Sequence, residues 1–133
     1  GVADANHFKP QYQNVGAADH SWALSKSGKV SCGEGWQTYA GKLESGDVVG
    51  VELDFNAGTL SFYKNGENLG VAFSNLDGRG YLMLPAICLG SNYGERESSA
   101  TLLPLLWDEE TRTVKFPPRR TAGQRSAAGG AWQ

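Results

Sequence analysis

Histidine and cysteine are scarce in this chain, with two of each in 133 residues: His7, His20, Cys32 and Cys88. No His-x-x-x-His, no Cys-x-x-Cys and no clustered carboxylates in a strand–loop context occur, so no metal site is expected and no cofactor is implied. Gly33-Glu34-Gly35 lacks the third glycine and the following helix of a dinucleotide loop, and no Walker-type Gly-Lys-Ser/Thr is present. Asp19, His20 and Ser21 put an acid, a base and a nucleophile side by side, but consecutive residues of a strand point to opposite faces and cannot form a relay. Enzymatic chemistry is therefore not expected. No apolar run is long enough to cross a bilayer, and no basic-then-apolar leader opens the chain. No stretch of about twelve residues keeps a 3.6-residue apolar period, which argues against helices. Glycosylation sequons are absent, and the two cysteines are read as free thiols, with Cys88 buried in a strand. An intracellular, cytoplasmic protein is expected, with nuclear or ciliary placement left open.

Charge of one sign is also lacking. The net charge of −2 advertises neither nucleic acid nor anionic membrane as a partner. Arg119, Arg120 and Arg125 make the last fifteen residues locally +3, which leaves −5 on the first 118.

What the chain has is glycine, 18 residues of it, spread among short apolar runs. That pattern predicts an all-β domain rich in turns. Residues 46–73 are the most regular part. Val49, Val51 and Leu53 alternate with Gly50 and Glu52, and Leu60 and Phe62 alternate with Ser61 and Tyr63. Asn65-Gly66 stands where a type I′ hairpin needs positive φ at both central residues. Three antiparallel strands in a meander are expected.

The succession Ser21-Trp22, Tyr39-Ala40-Gly41, Gly46-Asp47, Gly50 to Asp54, Gly58 to Phe62, Asn65-Gly66, Leu69-Gly70, Phe73 and Leu84-Pro85-Ala86 resembles a SPRY domain in order and spacing. The resemblance implies a bent antiparallel β-sandwich, a concanavalin-like jelly roll, that binds other proteins through edge loops and has no catalytic activity of its own. Gly1-Val2 resembles the close of a central SPRY strand, so the domain is expected to be incomplete at the N-terminus and poorly behaved alone, with an open edge.

Residues 1–103 are accordingly read as a partial sandwich, 104–118 as an extension packing on or near it, and 119–133 as a flexible Arg/Ala/Gly tail. Trp22 is expected in the core and Tyr39 in a packing role. Tyr81 to Leu89, almost wholly apolar, is expected to be a strand buried on both sides for part of its length, with Pro85 at an end, bulge or edge. Ser99 to Leu103 is expected as the final strand of the sandwich, with a further strand possible over Thr111 to Phe116.

Aromatics and amides gather in three loops: Phe8, Tyr12 and Asn14; Trp36 and Tyr39; Asn92 and Tyr93. Tyr and Trp on adjacent rigid loops give large contact area at low entropy cost. In peptide-gripping SPRY adaptors the loop before the Ser-Trp strand supplies a tyrosine and an apolar residue, and the segment after the Pro-Ala strand an aromatic followed by glycine. Tyr12 and Val15 match the first, and Tyr93-Gly94 resemble the second with Tyr in place of the more usual Trp. The family's arginine contacts from preceding strands have no counterpart here. Tyr12, Val15, Trp36, Asn92, Tyr93 and Gly94 are thus the candidate contact residues for a protein or peptide ligand, within a larger multi-protein assembly such as a ubiquitin-ligase adaptor or a ciliary or structural complex. The rivals are a lectin-like glycan-binding sandwich, which would need acidic and amide groups beside Trp36, and a purely structural scaffold.

Overall fold

The computed structural model describes residues 1–11, 14–17, 19–76, 82–89, 99–103, 106–111 and 113–116. Ten strands make up its regular structure: β1 (Val2–Asp4), β2 (Ser21–Leu24), β3 (Lys29–Ser31), β4 (Gln37–Thr38), β5 (Val49–Asp54), β6 (Thr59–Lys64), β7 (Glu67–Phe73), β8 (Met83–Pro85), β9 (Leu106–Asp108) and β10 (Thr113–Phe116). They form two five-stranded sheets, ordered β4-β3-β2-β1-β8 and β7-β6-β5-β10-β9, and every pairing is antiparallel. The all-β sandwich expected from the sequence is therefore the fold. No helix among the described residues is long and apolar enough to cross a membrane.

The core lies between the sheets. Val2, Trp22 and Val30 on one side meet Val51, Leu53, Leu60 and Phe62 on the other. Opposed pairs Val51–Phe62 and Leu53–Leu60 share the inner face, as the period of two requires. Leu60 and Phe62 are wholly buried.

The β5–β6–β7 meander forms as expected. Asn65 and Gly66 take φ of 50° and 90°, the two positive values of a type I′ turn. Asp47 braces that turn from outside: Asn65 donates Nδ2 to Asp47 Oδ1 at 2.7 Å, while Val48 N donates to Asn65 Oδ1 at 2.8 Å. The Asp47 carboxylate also receives Glu44 N at 2.7 Å and pairs with Lys64 at 3.3 Å. The Glu44 amide, then Asn65 and Lys64, outweigh desolvation and hold the Asp47 carboxyl below its usual range. Gly46-Asp47 and Asn65-Gly66, far apart in sequence, are thus one structural device.

A second device joins Tyr39 to the meander. Between the pairs Tyr63–Asn68 and Ser61–Val71, β7 carries one residue more than β6, which makes a bulge containing Gly70 at φ 99°. Tyr39 fills the gap: its hydroxyl donates to Gly70 O at 2.5 Å and lies 3.4 Å from Phe62 N, whose N–H it accepts. Its ring meets Phe62 edge-on at 6.1 Å between centroids. The packing role expected of Tyr39 is what it has.

Three expectations need correction. Only Met83–Pro85 of the apolar run is strand, and it lies at the edge of its sheet rather than buried on both sides. Pro85 has no N–H to give a further neighbour, and among the described residues β8 pairs with β1 alone. Leu82, Leu84, Ile87 and Leu89 are consequently exposed. Cys88 is exposed and outside any strand, while both thiols are free as expected. Finally, residues 99–103 are irregular; the second sheet is extended instead by β10, which pairs along β5 from Thr113–Asp54 to Phe116–Val51.

Candidate functional site

The outer face of the first sheet has small residues because a loop lies on it. Ala3, Ser21 and Ala23 alternate with the inward Val2 and Trp22 and are buried although they face away from the core. Their cover is the 5–20 connection. Gly16 N donates to Ser21 Oγ at 2.8 Å, and Gly33 N donates to Gly16 O at 3.1 Å. Gly16 is buried at φ 81°, and a Cβ there would stand 2.7 Å from the Ala23 Cβ and 3.1 Å from Ser31 O. Only glycine lets the loop sit this close.

On one side of Gly16 lies Trp36, 45% exposed, whose ring edge would be 3.3 Å from a Cβ at Gly16. On the other side is Val15, buried in the wall of an apolar depression of about 390 Å³. Phe8 and Pro10 from the loop, Ala3 from β1, and Leu84 and Ile87 from the β8 segment are among the residues that line it. The Cys88 thiol donates to Asn14 Oδ1 at 3.1 Å, so loop and β8 segment meet on a second contact.

The corner is anchored by Asp4, which is fully buried. Its Oδ1 accepts Leu82 N at 2.9 Å and Asn6 N at 3.2 Å, and Oδ2 is bonded to His7 Nδ1. Desolvation works against ionisation here, but the His7 contact and the two backbone amides prevail and leave the carboxyl below its usual range. The His7 ring stacks on His20 at 4.6 Å between centroids.

Six contact residues are expected from the sequence. Val15 lines the depression, while Trp36 lies against Gly16 and does not line it. Tyr12, Asn92, Tyr93 and Gly94 lie outside the described residues. Leu84 and Ile87 were missed because their run was read as buried strand; the proline within it was the signal that the strand ends early and sits at an edge. Within Asp19-His20-Ser21 the strand alternation expected from the sequence does not extend to His20. His20 is a turn residue at φ 65°, and Ser21 Oγ is engaged by Gly16 N. Burial first, then the charges of Asp19 and Glu34, push the Cys32 thiol up, so it is a poor nucleophile at neutral pH.

A sandwich that presents an apolar corner between loops has the kind of surface that a protein-interaction module uses. Comparison with known proteins gives the particular family: residues 1–101 match the SPRY domain, and the chain belongs to that family, whose members are generally non-catalytic interaction modules. It is 31% identical over 91 residues to SPRY domain-containing SOCS box protein 3 of Xenopus laevis, covering 66% of this chain and 25% of that protein. It is 35% identical over 86 residues to the E3 ubiquitin-protein ligase RKP of Arabidopsis thaliana, covering 63% of this chain and 7% of that one. With the Probable ATP-dependent RNA helicase ddx1 of Dictyostelium discoideum it shares 26% identity over 119 residues, which is 80% of this chain and 15% of the relative. The chain thus spans a quarter or less of the length of these relatives.

Proposed function

We propose that this domain recognises a protein or peptide through the corner between the 5–20 loop, Trp36 and the β8 segment, as the substrate-selecting part of a larger intracellular protein or assembly. The observation that carries this reading is the apolar depression between Val15, Phe8 and Pro10 on one side and Leu84 and Ile87 on the other. Exposed apolar side chains gather on one short segment there: Leu82, Leu84, Ile87 and Leu89. A contiguous apolar patch of this kind on a rigid sheet edge is the usual ground of a partner contact. None of the described residues that line it is charged, which favours apolar anchor residues in the ligand over phosphate or nucleic acid. Tyr12, Asn92, Tyr93 and Gly94, placed by their likeness to peptide-gripping adaptors, would extend the same surface. Relatives named as a SOCS box protein and an E3 ubiquitin-protein ligase support a ubiquitin-ligase adaptor as the setting.

The test compares the parent protein with its Ile87→Asp and Trp36→Ala variants in affinity capture from native extract, read by mass spectrometry. Selective loss of the same partner from both variants supports the reading, with Trp36→Ala weakening a purified pair by about 1–3 kcal/mol. Recovery of an identical set of proteins by all three would remove the corner as the contact surface.

A further inference from the structure

We propose that Asp4, His7 and His20 form a binding site for a zinc-class divalent ion, which clasps the two ends of the 5–20 loop. The only two histidines in the chain, thirteen positions apart, are brought together with their rings stacked. Both lie at the one buried aspartate of the first sheet, and the three side chains offer ligand atoms within 4.8 Å of one another.

The geometry suits such an ion. Asp4 Oδ1 is fixed by the Leu82 and Asn6 amides, which leaves Oδ2 turned toward the histidines. His20 is held at φ 65°, a conformation unfavourable for a residue with a Cβ, by the bond from Asp4 N to its carbonyl oxygen at 2.8 Å. That backbone turn brings its ring onto His7. The His7 side chain is 52% exposed, so its ring can turn. In a tetrahedral zinc site, with bonds of about 2.0–2.2 Å, neighbouring ligand atoms stand about 3.4 Å apart. Reaching that separation requires the Asp4–His7 hydrogen bond to open in exchange for the metal, and the wider pairs, all within 4.8 Å, to close by a ring rotation of His7 and a small shift of the loop end. Two imidazoles and one carboxylate select zinc and its neighbours in the first transition row over magnesium or calcium, which require more oxygen ligands. The exposed side leaves a fourth position for water or for a ligand from a partner.

Binding of Zn2+ to the metal-free chain is the test, followed by calorimetry and thermal melting, with Mg2+ as comparison. His7→Gln removes an exposed ring, and His20→Asn keeps a residue that tolerates positive φ, so both variants should fold. The expected result is a single Zn2+ site that raises the melting temperature, is weakened at least tenfold in each variant, and gives no response to Mg2+. Co2+ in its place should show a ligand-field spectrum without thiolate charge transfer. Zn2+ affinity equal in wild type and both variants, absence of binding below millimolar Zn2+, or a Co2+–thiolate band from Cys32 or Cys88 would each overturn the proposal.

Discussion

The meander is built from strands of six and seven residues and the β1–β8 corner from strands of three, and they treat their surfaces in opposite ways. In the meander the hairpin turn and the Gly70 bulge have dedicated partners in Asp47 and Tyr39, and the Tyr63 hydroxyl donates to Glu52 at 2.7 Å. At the corner the polar atoms are drawn inward to Asp4, and the apolar side chains of Leu84 and Ile87 are left facing out. One region spends its polar groups on register and the other on holding an apolar surface open. Stability and recognition should therefore separate under mutation.

The largest break should come at the centre of the meander. Phe62→Ala removes a wholly buried ring opposite Val51 and beside Tyr39, and should cost about 3–5 kcal/mol of unfolding free energy in a denaturant titration. A loss below about 1 kcal/mol would mean that the two sheets do not share one core. Gly16→Ala tests where the corner is welded to the sandwich. The new methyl would meet Ala23 Cβ at 2.7 Å on a backbone at φ 81°, so about 1–3 kcal/mol should be lost and Trp36 fluorescence should shift. Tyr39→Phe keeps the ring on Phe62 and removes only the hydroxyl from the bulge, for an expected loss of about 1–2 kcal/mol.

Acid should weaken both regions in the same direction. Asp4 and Asp47 each have a carboxyl held below its ordinary value in the folded chain, so their contribution is fully present above that ordinary value and is lost as pH falls through the lower folded one. Below about pH 4 the amides of Leu82 and Asn6 at the corner and of Glu44 at the meander should lose hydrogen-exchange protection. Protection that stays flat in that range would mean that these amides do not depend on the charged carboxylates.

The meander could be read from sequence because its signals are local. Alternation at two residues, and an Asn-Gly with its fixed backbone demand, specify strands and turn within a few positions of each other. The corner depends on contacts that span the chain: Asp4 with Leu82, Gly16 with Ala23, Asn14 with Cys88. An apolar run such as 81–89 looks the same whether it is buried or exposed at an edge, since composition does not state how many neighbours a strand has. The likeness to SPRY domains supplied Val15 as a candidate and the glycine-flanked loop supplied Trp36; Pro85 was the one local hint toward Ile87, and nothing local pointed to the meeting of His7 with His20 across a loop. β10 was faint because its alternation is weak, and its place beside β5 follows from the open side of that strand rather than from its own residues.

The smallest effect on stability should come from the exposed corner residues, and it discriminates most sharply between the two regions. Ile87 is 66% exposed and outside any strand, so Ile87→Ser removes little buried area and should change unfolding free energy by no more than about 0.5 kcal/mol. A side chain kept for folding would give a larger loss, whereas one that serves recognition should leave the melt unchanged and reduce partner affinity. Leu84→Ser is the matched control one step inward: it lies opposite Ala3 in the β1–β8 pairing, so it should show the same loss of affinity with a slightly larger loss of stability. If Ile87→Ser instead destabilises the fold as much as Tyr39→Phe does, the apolar corner is covered by part of the chain itself, and its exposure is not an invitation to a partner.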